Sequence, residues 1–188
     1  MKSDYDLYGI LKEELKNGSA DLVTRKSGQV VRDRVEKDIV GEQNGTVVAL
    51  DFSGIGVIDY SCADEVVAKL VSRVLAGEYG DKYIALTGLN DNQRENIEVA
   101  LERKGLAVMA AMRDGKKIIL GSLNNYLKET LNTILERGTI SAKELSEILK
   151  LEANTSGTRL LNLYKKCLVR RREEIREGGR VWVYESVI

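Results

Sequence analysis

An α/β unit followed by a smaller helix-and-hairpin unit is the architecture this sequence predicts. Three observations carry that expectation. Apolar runs rich in β-branched residues, TVVALDF and YIALTGL, alternate with helical stripes over residues 20–120. An Arg113-Asp114-Gly115 turn signal separates LAVMAAM from KKIIL. Beyond residues 121–125 the pattern changes to closely spaced helices that end in a pair of strands.

Element by element, DLVTR is a short candidate strand, and from Gly28 onward Val30, Val31, Val35 and Ile39 recur at helical spacing among charges. TVVALDF, bounded by Gly45 and Gly54, suits a strand buried in a parallel sheet. Between Ala63 and Ala76, Val66, Val67, Leu70, Val71 and Val74 form one helical stripe that Gly77 closes. YIALTGL is a second buried strand, and Asn92 to Lys104 reads as a helix ended by Gly105. Asp-Gly accepts the positive φ angles of a tight turn, so LAVMAAM and KKIIL form a hairpin. Strands alternating with helices pair in parallel through right-handed crossovers, which defines a first domain over 1–122.

In the remainder, 123–188, Leu123, Leu127, Leu131, Ile134 and Leu135 mark a helix up to Gly138. Ser141 precedes Glu144 by the spacing of a capping box and opens a second helix, on which Leu145, Ile148 and Leu149 can bury against Leu160, Leu161 and Leu163 of a third. VRRREEIRE and RVWVYESV flank Gly178-Gly179, a two-residue hairpin turn. Helices followed by a hairpin are the layout of a winged helix-turn-helix, a small α+β domain.

Composition restricts function. The chain has 188 residues and 43% apolar content, and no apolar run approaches bilayer length. MKSDYDLYGI lacks the basic start and apolar stretch of a secretory signal, and Cys62 and Cys167 lie far apart without metal spacing. A cytoplasmic protein without membrane association is expected. There is no histidine, which removes Ser–His and Cys–His catalysis and most zinc sites. Neither GxxxxGK[ST] nor GxGxxG occurs, so no familiar phosphate cradle is spelled out and no cofactor is expected. Binding is favoured over turnover. A carboxylate enzyme using Asp51, Asp59 and Glu65 is the weakest reading, because no paired lysine or phosphate loop accompanies them. The net charge is zero, but residues 123–188 carry 12 Lys/Arg against 9 Asp/Glu.

KELSEILKLEANTSGTRLLNLYKKCLVRRRE resembles the core of bacterial winged-helix regulators, in which a KELA-type helix precedes a turn, a leucine-spaced helix and a GLV-R exit. Cys167 stands where that family usually has glycine. The polar face of the last helix presents Thr155, Ser156, Thr158, Arg159, Asn162, Lys165 and Lys166. In helix-turn-helix docking such a face enters the major groove of double-stranded DNA, where Arg and Asn pair with base edges. The lysines and Arg170, Arg171 and Arg172 would neutralise phosphates, with Arg180 near the wing tip. A solvated surface or a protein-binding winged helix is the rival reading, since Glu173, Glu174 and Glu177 interrupt the positive charge. One winged helix reads few base pairs, so a homodimer is expected.

LDFSGIGVIDYSCADE resembles the STAS family of anti-sigma-factor antagonists and related STAS-like bacterial domains, over residues 20–120. The shared frame is an LDF-G-V strand, an I-D-S turn and an ADE helix start. The resemblance implies a STAS-like βα sandwich and phosphorylation of a serine after the turn by a histidine-kinase-like ATPase partner. Asp59 then matches the acid of the turn and Ser61 the modified serine, while Tyr60 stands where Ser or Thr is common and Cys62-Ala63 where Gly-Leu is usual. From the residues alone, Ser61 equally reads as a helix N-cap with Asp64 and Glu65 complementing the first turn, and Cys62 as a small buried filler. The two functional hypotheses are a DNA-binding transcriptional regulator with a STAS-like signal-input domain, and a partner-switching antagonist whose winged helix binds protein.

Overall fold

The computed structural model describes residues 1–16, 18–176 and 179–188. The chain divides into two compact units, Met1–Ser122 and Leu123–Val187.

In the first unit, β1 (Lys2–Asp6), β2 (Thr46–Asp51), β3 (Lys82–Leu89) and β4 (Ala107–Met112) lie side by side in chain order, each parallel to the next. β5 (Lys117–Gly121) joins antiparallel to β4 across the Asp114-Gly115 turn, where Gly115 has φ +83°. The unit is therefore α/β with a mostly parallel sheet. Thr46 to Leu50 of β2 are all buried, so both faces of that strand are covered, as its unbroken apolar run requires. KSDYD of β1, by contrast, alternates exposed and half-buried positions.

Three connections carry helices. α1 (Leu7–Leu15) starts at Asp6, whose carboxylate accepts from the Tyr8 N–H, and is followed by α2 (Arg25–Gly41). Thr24 caps α2 in a reciprocal box with Ser27. The strand expected at DLVTR is corrected here: Leu22 makes only an isolated bridge to Ile58, and Thr24 spends its hydrogen-bonding capacity on opening the helix. After β2 come α3 (Tyr60–Ala63), a π-helical turn (Asp64–Ala68) and α4 (Lys69–Leu75) in one continuous helical run. α5 (Asp91–Glu102) is capped by Asn90 and Gln93, and the buried Gln93 amide also donates to the Ile55 carbonyl at 2.7 Å. α2, the α3–α4 run and α5 pack on one another as a layer. Close approach is possible because position 28 is glycine: a Cβ there would lie 3.0 Å from the Cys62 Cα.

The second unit runs α6 (Asn125–Arg137), β6 (Thr139–Ser141), α7 (Ala142–Leu149), α8 (Ala153–Lys165), β7 (Val169–Arg176) and β8 (Gly179–Ser186). β8 lies between β6 and β7, antiparallel to both. β6 was not expected; it is only three residues long and leaves no apolar run to read. The Ser141–Glu144 box forms, with the Glu144 carboxylate accepting from the Ser141 N–H at 2.7 Å. Leu145, Leu160 and Leu163 are buried, whereas Ile148, expected beside them, is exposed. The expected Gly178-Gly179 turn lies partly outside the described residues, as does Glu177.

Cys167 has φ +56° just beyond α8. Its N–H donates to the Tyr164 carbonyl at 2.9 Å and that of Leu168 to Leu163 at 3.1 Å. This is a Schellman ending, which favours glycine at the left-handed position.

Gly121 has φ +88°, and a Cβ there would overlap the Leu106 carbonyl oxygen and sit 2.8 Å from the Leu101 Cβ. Gly121→Ala should therefore lower stability by roughly 3 kcal/mol, read as a fall in the urea midpoint at unchanged slope.

Candidate functional site

At the end of β2, Asp51 accepts from the Ser53 N–H at 2.9 Å and the Ser53 hydroxyl at 2.6 Å, which starts a turn. The next helical run starts at Asp59. This residue, and not Ser61, is the N-cap: its carboxylate accepts from the Cys62 N–H at 2.8 Å and from the Ser61 hydroxyl at 2.9 Å. Ser61 lies in the first helical turn, half-buried, with its hydroxyl turned to the cap. Both residues are good cap formers, and the one two positions earlier takes the role because its oxygen reaches the free N–H groups. Cys62 is fully buried and its thiol donates to the Thr24 carbonyl at 2.8 Å; burial pushes its pKa up, which suits a packed filler.

Asp64 and Glu65 do not decorate the first turn. Both are buried at the π turn. Glu65 receives Arg25 at 2.6 Å, Lys69 at 2.5 Å and the buried Arg32. Asp64 receives Lys104 at 2.6 Å and Arg25 at 3.3 Å. Burial alone would raise both carboxyl pKa values; for Glu65 the hydrogen bonds of Lys69 and Arg25 outweigh it, and for Asp64 those of Lys104 and Arg25, so both lie below the usual carboxylate range. Asp51, Asp59 and Glu65 thus have separate sets of partners. Sequence reasoning missed this cluster. Only the Arg32/Asp33, Arg32/Glu36 and Glu65/Lys69 spacings were visible along the chain, because the remaining pairs join residues more than thirty positions apart.

On α8, Thr155 and Thr158 are exposed, and together with Tyr126, Asn154, Arg159 and Asn162 they line a recess of about 420 Å³. Tyr126 and Asn154 were not among the expected residues. Ser156 is corrected: it is fully buried and its hydroxyl donates back to the Glu152 carbonyl at 3.2 Å, so it presents nothing to a ligand. Arg159 is held by Glu129 at 2.9 Å and lies 5.4 Å from the Tyr126 ring centroid. Lys165 is exposed and Lys166 half-buried.

The hairpin arginines are engaged within their own unit. Arg170 pairs with Glu185 at 2.9 Å, Arg172 with Glu174 at 2.6 Å, and Arg180 approaches Glu173 at 3.8 Å. Arg171 lies over the Tyr164 and Trp182 rings. Arg176 bonds Glu144 at 2.9 Å, fastening the hairpin to α7.

Comparison with protein-family models and with curated proteins finds no match to this chain. Among the described residues no helix is long and apolar enough to cross a membrane, and no group of three or more His, Cys, Asp and Glu residues could hold a metal ion.

Glu65→Ala should lower stability by roughly 3–5 kcal/mol in urea unfolding near neutral pH, because Arg32 is left buried without its main partner. With folded pKa values depressed, the contribution of Asp64 and Glu65 is complete above the ordinary carboxylate range and is lost as pH falls through the folded values. The parent should therefore lose more stability than Glu65→Gln between about pH 6 and about pH 3. At the turn, Asp59→Ala should lower stability by about 1 kcal/mol and Ser61→Ala by less than half of that, measured the same way.

Proposed function

We propose that this chain is a non-enzymatic cytoplasmic regulator whose second unit is a winged helix-turn-helix that binds double-stranded DNA, and whose first unit is a STAS-like input domain. The observation that carries the reading is the order of the second unit: helix, short strand, two helices and a hairpin, with the short strand β6 paired to the last strand β8. That order supports the reading: in a winged helix-turn-helix, α8 would enter the major groove while the β7–β8 hairpin flanks it as the wing. The exposed Thr155 and Thr158 and the Asn154, Arg159 and Asn162 side chains of the recess on α8 supply hydrogen-bonding groups for base edges and phosphates. Arg159 would reach DNA by exchanging Glu129 for a guanine or a phosphate, so Glu129 tempers affinity. Two copies of the chain would read two half-sites.

Input through Ser61 fits the cap geometry. A phosphate on its hydroxyl would bring nearly two negative charges against the Asp59 carboxylate, breaking the hydrogen bond that now joins them and loosening the start of the helical run. A histidine-kinase-like ATPase is the partner class that the STAS resemblance suggests.

The rival reading, a winged helix that grips protein in a partner-switching system, draws support from the pairing of Arg170, Arg172 and Arg180 with glutamates, which withdraws cationic charge from the wing. Salt separates the two. Duplex affinity measured by fluorescence anisotropy should fall steeply with salt concentration. Glu129→Gln should tighten it several-fold, and Arg159→Ala with Asn162→Ala should cost about 1–3 kcal/mol and erase sequence preference. If parent and Glu129→Gln both leave duplex DNA unbound at low salt, the protein-binding reading takes its place.

A further inference from the structure

Trp182 is the only tryptophan in the chain and is 48% exposed on β8. The Arg171 guanidinium carbon lies 4.5 Å from its ring centroid and 4.3 Å from that of Tyr164, so one cation contacts two aromatic rings. Directly opposed residues of an antiparallel pair share a face. The register sets Arg171 opposite Tyr184, Glu173 opposite Trp182, and Ile175 opposite Arg180. Trp182 thus shares its face with Ile175, which is 85% exposed, and with the Arg180 side chain, 75% exposed. The one carboxylate among these opposed pairs, Glu173, lies beside Arg180.

Flat apolar surface with cations at its margin matches one ligand chemistry well: a planar ring that carries a phosphate. The bases of a duplex already have both faces stacked, whereas an unpaired base has a face to offer. Stacking of a base on an aromatic side chain contributes about 1–3 kcal/mol, and arginine adds a cation–π component. We propose that this face of the β7–β8 hairpin binds single-stranded nucleic acid, with an unpaired base stacked on Trp182 and the adjoining phosphates drawn to Arg171 and Arg180. The surface is separate from the recess on α8, and the proposal does not require duplex binding.

Because Trp182 is the sole indole, its emission reports directly on the site. Titrating the full chain with a short oligothymidylate at low salt should quench that emission saturably, while a blunt hairpin duplex should leave it nearly unchanged. Anisotropy of the labelled oligonucleotide should show Trp182→Ala binding about tenfold or more weakly, with Trp182→Phe within about threefold of the parent. Arg180→Gln should make the salt dependence shallower by about one unit of slope. Parent protein that binds no single strand, binds without quenching, or is quenched equally by duplex overturns the proposal. So does a Trp182→Ala variant with parental single-strand affinity. Single-strand binding with quenching but no duplex binding upholds it and defeats only the duplex reading given above.

Discussion

The pairing of Glu65 with Arg32 is the constraint on which the first unit depends. Both side chains are almost wholly withdrawn from water, and each has further partners: Arg32 also bonds Asp33 at 2.6 Å, and Glu65 also receives Arg25 and Lys69. Their bond ties α2 to the π turn. Such a pair does more to fix geometry than to add stability, since desolvation offsets most of its attraction. Glycine at position 28 allows the required closeness, and all five residues of the π turn, the two acids among them, are buried there. The same helical run begins at Asp59, so the turn that carries Ser61 is held in place by a cluster one helical turn further along.

The second unit is organised by how its charges are partnered. Glu144 closes its own helix cap and also holds Arg176, so one carboxylate serves the start of α7 and the hairpin together. Glu185 and Glu174 take up arginines along the opposite face from Trp182. The hairpin therefore has a charge-compensated side and an aromatic side. Cys167 directs the chain from α8 into β7 through a backbone conformation that a side chain strains, and the buried Leu168 that follows anchors the exit.

Much of the fold was legible because its signals are local. TVVALDF and YIALTGL announce buried strands, Asp-Gly a hairpin and Ser141-x-x-Glu144 a helix start, each within a few residues. Where reading failed, a competing local preference or a distant partner had decided the outcome. β1 went unseen because KSDYD, lying at the sheet edge, carries charges where a central strand would carry valines. DLVTR looked like a strand, but Thr24 is worth more as a cap. Asp59 and Ser61 both qualify as caps, and only the three-dimensional trace of the turn chooses between them. Ser156 belongs by spacing to the polar face of α8, yet it is small enough to be turned inward and satisfied by its own helix. No residue type encodes a π turn, and the cations that gather on Asp64 and Glu65 come from three separate stretches of the chain.

β7 is bonded to β8 on one side only, and its sequence there is RRREEIR. An open strand margin is a template on which a neighbouring molecule can add its own strand, the first step towards fibrous assembly. Successive guanidinium and carboxylate groups resist that step, since a second copy laid alongside would have to match like charges or strip their water. A hairpin with a tryptophan and an isoleucine in solvent would otherwise be a hazard at high concentration; its charged margin opposes edge-to-edge strand pairing.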